Sequence, residues 1–207
     1  MNKKYLVIPL FLIILFIGVG IWWKLDQKEN AEEINSYLQQ RIPTDFLGKT
    51  SVEISGLLPN DPSTTNIATQ ADIIVQGQVQ KIEKPYKTAQ GEVYHSVVLK
   101  LEKIYKSNEN IKVGKEITVA VEGGETEEAW YWGMNIPSFE ESESVILFLG
   151  QVDQEGIVGE YYVNYGSFGK LSIENGVVRG INHEDGAVET SLDSYQNKLE
   201  QVVADSK

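Results

Sequence analysis

From Ala71 onward the apolar residues recur every second position, and that period commits the middle of the chain to strands. In "DIIVQGQVQKIE", Ile73, Val75, Gly77 and Val79 fall on one face and Gln76, Gln78 and Gln80 on the other. Successive strand side chains point to opposite faces, so this reads as a half-buried strand. Gly77 inside it predicts a bend or bulge. "YHSVVLKLEKIY" repeats the pattern, with Val97, Leu99 and Leu101 inward and Lys100 and Glu102 outward. Residues 85–92 are the turn between the two. "ITVAVE" places Ile117, Val119 and Val121 inward. "SVILFLG" is apolar on both faces, as expected of a central strand covered on both sides. "GEYYVNYG" is an aromatic strand. "KLSIENGVVRGI" is a hairpin turning on Asn175-Gly176, since Asn-Gly accepts the positive φ of a type I′ turn.

About seven short, hairpin-linked strands predict a mainly β fold: a small antiparallel OB-like barrel or a sandwich. A C-terminal helix should close it. Ser191 can cap that helix, Asp193 suits its first turn, and Leu192, Tyr195, Leu199 and Val202 share a face.

The first residues speak to location. "MNKK" precedes "YLVIPLFLIILFIGVGIWW", a charge-free run over residues 5–23. As a helix it spans roughly 28 Å at 1.5 Å per residue, close to a bilayer hydrocarbon core. Lysines precede the run and mixed charges follow it, so the positive-inside rule predicts residues 1–4 in the cytoplasm and the remainder outside. Trp22 and Trp23 suit a membrane interface. The competing expectation is a cleaved signal peptide, with Gly18 and Gly20 small enough for its cleavage site. Residues 24–43 have helical spacing (Leu25, Ala31, Ile34, Leu38, Ile42) ended by Pro43, and read as a stalk. Residues 44–70 read as an irregular connector or one weak strand. Residues 71–207 form the extracytoplasmic β-domain with its helix.

Charge and cysteine content exclude much chemistry. Lys plus Arg is 18 and Asp plus Glu is 30, a net charge of −12. Such a field repels phosphate backbones, so nucleic acid is not an expected partner. It favours cations or a basic protein or envelope component. With no cysteine, disulfides, thiolate nucleophiles and thiolate metal sites are absent. The sequence holds no HExxH, GxSxG, GxGxxG or phosphate-loop pattern. His95 is expected on an outward strand face and His183 in the polar turn "NHEDG". Carboxylate pairs are plentiful in so acidic a chain, which leaves a cell-envelope hydrolase as the alternative to a binding module. A purely structural membrane-proximal domain is a third reading.

The segment that stands out is "VEGGETEEAWYWGMNIPSFEESE", residues 121–143. Seven glutamates surround Trp130, Tyr131 and Trp132, and no Lys or Arg lies among them. Glycines and Pro137 predict a long loop between two core strands, and long loops on rigid sheets are frequent binding elements. Three expectations follow. The tryptophans could fold back as a lid on the barrel, with Phe139 in the core. Alternatively Trp130, Tyr131 and Trp132 form an exposed anchor, with Glu125, Glu127 and Glu128 as an acidic rim that selects a basic partner. Third, Glu122, Glu125, Glu127, Glu128 and residues 140–143 supply oxygen ligands to calcium, although their spacing is not that of an EF-hand.

The fragments "ADIIVQGQV", "EGGE", "GMNIPSF", "VILFLG", "GSFGKLSI" and "ENGVV" occur in an order that resembles a recurrent type of exported bacterial β-domain over residues 71–178. The resemblance implies a β-domain outside the membrane and implies no activity. A weaker similarity, carried by strand order and "FEESESVILFL", is to the OB-like barrel of netrin-type and metalloproteinase-inhibitor domains. Those domains are normally disulfide-rich, whereas this chain has no cysteine. The expectation is therefore a single-pass, membrane-anchored, non-catalytic binding or assembly module.

Overall fold

Residues 50–54, 63–108, 113–133, 135–182 and 186–206 are described by a computed structural model. The expected span at 5–23 and stalk at 24–43 lie outside them. Among the described residues no helix is long and apolar enough to cross a membrane. In chain order the elements are β1 (Thr50–Glu53), α1 (Thr64–Gln70), β2 (Ile73–Ile82), β3 (Tyr86–Lys87), β4 (Val93–Ser107), β5 (Glu116–Glu122), β6 (Gly124–Glu125) and β7 (Ala129–Trp132). There follow β8 (Ser144–Gln151), β9 (Tyr161–Val163), β10 (Lys170–Glu174), β11 (Val177–Asn182), β12 (Gly186–Ser191) and α2 (Leu192–Asp205).

Five strands close a barrel in the order β8-β2-β4-β5-β9, with β9 returning to β8. An odd ring cannot alternate direction throughout, so one pair must be parallel. That pair is β5 with β9, where Val119 faces Tyr161 and Ala120 faces Tyr162. The fold is thus a barrel rather than a sandwich, and its closure is parallel where an all-antiparallel sheet was expected. Three register shifts in β2 against β4 bend the sheet into the curve that closure needs. Gly77 sits at one of them. A Cβ there would lie 2.6 Å from the Lys100 carbonyl oxygen, so no larger residue permits this approach.

Inward positions fill the barrel: Val75, Val79, Val97, Leu99, Val119, Val145, Leu147 and Leu149 are all at most 1% exposed. The alternate positions of β2 and β8, Ile74, Ile146 and Phe148, face a second core instead. There Ile67 and Ala68 of α1 and Tyr195, Leu199 and Val203 of α2 cover the outside of the barrel. This is why "SVILFLG" is apolar on both faces. Strand β10 extends β8 beyond the barrel, and β11 and β12 continue the sheet. The β10–β11 turn has Asn175 and Gly176 at φ 50° and 75°, the positive pair that a type I′ turn requires.

Both helices are capped by serine. The Ser63 Oγ accepts from the Asn66 amide and the Ser191 Oγ from the Ser194 amide. At the other end of α1, the Lys106 ammonium donates to the carbonyls of Ala68 and Thr69, at 2.9 and 2.8 Å. It satisfies acceptors that a short helix leaves open. The connector expected at 44–70 therefore contributes a strand and a helix to the fold. The strand is the one weak strand allowed for there, whereas the helix was not expected, because seven residues are too few to show a helical period.

Candidate functional site

The segment expected as a loop, residues 121–143, is built differently along its length. At its start Gly123 and Gly124, at φ 85° and 123°, turn the chain out of β5. Strands β6, β7 and β1 then form a separate three-stranded sheet. Strand β1 runs parallel to β7, Ser51 facing Trp130 and Glu53 facing Trp132. Between β6 and β7 the Thr126 Oγ1 donates to the Ala129 carbonyl at 2.8 Å and accepts from the Ala129 amide at 3.1 Å. That clasp holds a tight turn whose exposed residues are Glu127 and Glu128.

Because β7 is a strand, its aromatic triplet is divided between two faces. Trp130 and Trp132 share one face and stack, with ring centroids 5.9 Å apart and planes 12° from parallel. The Trp132 Nε1 donates to the Ser51 Oγ at 2.7 Å, which pins that indole to β1. Both indoles are half-buried. Glu125 pairs opposite Trp130. Tyr131 lies on the other face. There it lines a groove of about 610 Å³ with Glu125, Thr126, Glu127 and Glu128 on one wall and Lys84, Pro85 and Lys87 on the other. Of the six residues expected to act as one surface, the structure stacks Trp130 on Trp132 with Glu125 opposite Trp130, and leaves Tyr131 on the other face, where it lines the groove with Glu127 and Glu128.

The lid over the barrel is made by other residues. Ile136 and Phe139 pack against the interior core and Pro137 is buried, so the second half of the segment plugs the barrel. Asn135 anchors the plug by accepting from the Ser167 amide through both its backbone carbonyl, at 2.9 Å, and its Oδ1, at 3.2 Å. Its far end is held by a buried ion pair. The Lys170 ammonium lies 2.6 Å from the Glu143 carboxylate, which also accepts from the Ser172 Oγ at 2.6 Å. Register explains this position: Lys170 and Ser172 sit opposite Leu147 and Val145, on the barrel-interior side of the sheet and beyond the end of β9. The ammonium also rests 4.8 Å from the centre of the Phe139 ring.

The glutamates proposed for calcium are dispersed by this architecture. Glu143 is bound to Lys170 and Glu125 to Glu128 edge the groove. Among the described residues no three His, Asp or Glu side chains gather as a metal site requires. His95 is not on an outward surface. It is half-buried under β6, with its Nδ1 2.9 Å from the Gly123 carbonyl oxygen, and burial holds its pKa below the ordinary histidine value. His183 lies outside the described residues.

A second concavity, of about 390 Å³, opens beside β5 and β9. Tyr94 comes from β4, Glu122 from β5, Asn135 and Ile136 from the plug, Asp153, Gln154 and Ile157 from the β8–β9 loop, and Tyr162 from β9. That loop is tied down at Val158, whose amide donates to the Tyr86 hydroxyl at 2.6 Å and whose carbonyl accepts from the Ser96 Oγ at 2.7 Å. Sequence reading missed this cleft because its walls come from five separate segments, none carrying a local motif. No protein-family model matches the chain, and a comparison with curated proteins gives no match.

Proposed function

We propose that this chain is a non-catalytic binding module, held at the outer face of a cell membrane by residues 5–23, that engages a basic partner through the three-stranded sheet beside its barrel. The single observation carrying this reading is the stacked, half-buried indole pair on β7. Two indoles fixed on a paired strand offer apolar area at little entropic cost, as contact anchors do. The exposed glutamates at the clasped turn and the net charge of −12 supply the field that attracts a cationic surface.

The barrel supports an OB-like reading. Its strand order runs first-second-third-fifth-fourth with a parallel pair between third and fifth, and such barrels commonly serve as binding platforms. Strands β6 and β7 of the three-stranded sheet are inserted between the third and fourth barrel strands, and β1 joins them from ahead of the first, so a rigid base positions the sheet.

The electrostatic half of the proposal is tested with a lysine-rich octapeptide titrated against the full chain in detergent. We expect binding that weakens as salt is raised, and a Glu127→Gln/Glu128→Gln variant that binds about three- to tenfold more weakly with a shallower salt dependence. Both residues are exposed, so the variant should melt within a few degrees of the parent. Equal affinity for parent and variant would remove the acidic rim from the account.

A further inference from the structure

We infer that the cleft between β4, β5 and the β8–β9 loop is a site for an alkylammonium group, with Glu122 as its counter-ion and the rings of Tyr94 and Tyr162 as its walls. This site lies apart from the indole pair, so its failure leaves the reading of β7 standing.

Three features point to this chemistry. First, a volume of about 390 Å³ falls in the range of small-ligand pockets, and its lining joins apolar side chains to a few polar ones. Second, the lining contains two carboxylates, Glu122 and Asp153, and neither Lys nor Arg. Third, Glu122 is half-buried, yet among the described residues its carboxylate has no ion pair and no side-chain hydrogen bond. A half-buried charge without a counter-ion is costly to hold. An incoming ammonium supplies the missing charge. Tyrosine faces add cation–π attraction, and Ile136 and Ile157 accommodate an alkyl stem.

Titration follows from the same surroundings. Burial, and then the nearby Glu92 carboxylate, push the Glu122 pKa above the ordinary range. The Tyr94 hydroxyl also feels Glu122, and burial first raises its pKa; Asp153 and Tyr162 line the same cleft, and burial first raises the Tyr162 hydroxyl as well. None of these is cationic. A bound ammonium favours the ionised carboxylate, so affinity should fall as pH drops through the raised Glu122 pKa.

The shared chemistry has two sources, a free amine and a lysine side chain, and the test separates them. The full chain in detergent is titrated calorimetrically with 1,5-diaminopentane, with N-acetyl-lysine methylamide and with the uncharged control 1,5-pentanediol. Saturable binding of at least one amine but not of the diol is expected, weakened at least tenfold by Glu122→Gln and progressively weakened as pH falls through the raised Glu122 pKa. Preference for the diamine assigns the site to a free ligand, and preference for the lysine derivative to a partner's side chain. Glu122→Gln removes a charge that burial disfavours, so its melting temperature should be unchanged or higher, which separates lost binding from lost folding. A second variant, Tyr162→Leu, should weaken amine binding while sparing the fold, because Tyr162 is 46% exposed. The inference is overturned if neither amine saturates, if the diol binds as well, or if Glu122→Gln binds like the parent.

Discussion

Replacing Phe148 by alanine lowers the stability of the β-domain by about 3–5 kcal/mol, the range for deleting a large aromatic side chain from a packed core. Phe148 is 1% exposed and lies where the barrel's outer face meets α1 and α2. Its strand neighbours Leu147 and Leu149 point into the barrel and are held by another set of contacts. The cavity therefore opens between sheet and helices, and the closed barrel cannot shrink to fill it. At roughly 2–4 °C per kcal/mol for a chain of this length, the melting temperature should fall by about 10 °C. Urea unfolding of the full chain in detergent, followed by far-ultraviolet circular dichroism, measures this. A loss below about 1 kcal/mol would mean that the helices do not pack on β8.

A loss of similar size is expected at Glu143. Removing one partner of a buried ion pair costs about 3–5 kcal/mol, because the remaining charge stays in a medium that solvates it poorly. The Lys170 side chain is only 2% exposed and that of Glu143 16%, so solvent screens the pair little. Glu143→Ala deprives the ammonium of its carboxylate and the Ser172 hydroxyl of its acceptor, and frees one end of the plug that carries Ile136 and Phe139. The double variant Glu143→Leu/Lys170→Met replaces both charges with apolar groups and should recover most of the loss. If Glu143→Ala melts within 2 °C of the parent, the ion pair does not hold the plug. Comparing both variants with Phe148→Ala by the same unfolding measurement separates the plug from the second core.

The barrel was legible because its strands carry period-two patterns that only one register can bury, as in Val97 and Leu99 against Lys100 and Glu102. The β10–β11 hairpin was legible for a local reason, the positive φ that Asn175 and Gly176 tolerate. Strand β7 was not, and β1 was legible only as one weak strand somewhere within residues 44–70. Four residues give too little pattern, and the pairing joins positions about 80 apart along the chain. The two tryptophans drew attention by composition, but which face each ring takes depends on that pairing. Lys170 was overlooked because a charged residue in a strand ordinarily marks the solvent side, whereas here the partner strand β8 places it inward. The β5–β9 contact was likewise hidden: a parallel closure is a property of the whole ring and leaves no local trace.

The central claim is that the indole pair is a contact surface, and fluorescence tests it directly. The chain has four tryptophans, and a Trp22→Phe/Trp23→Phe background leaves Trp130 and Trp132 as the only emitters. In that background we expect emission quenched by acrylamide, which blue-shifts and becomes protected as the lysine-rich octapeptide is added. Trp130→Ala should weaken that binding at least tenfold while the melting temperature falls by only a few degrees. Emission that is already protected and unmoved by the peptide, together with unfolding of Trp130→Ala, would contradict the account and make the β7 sheet a structural prop for the barrel.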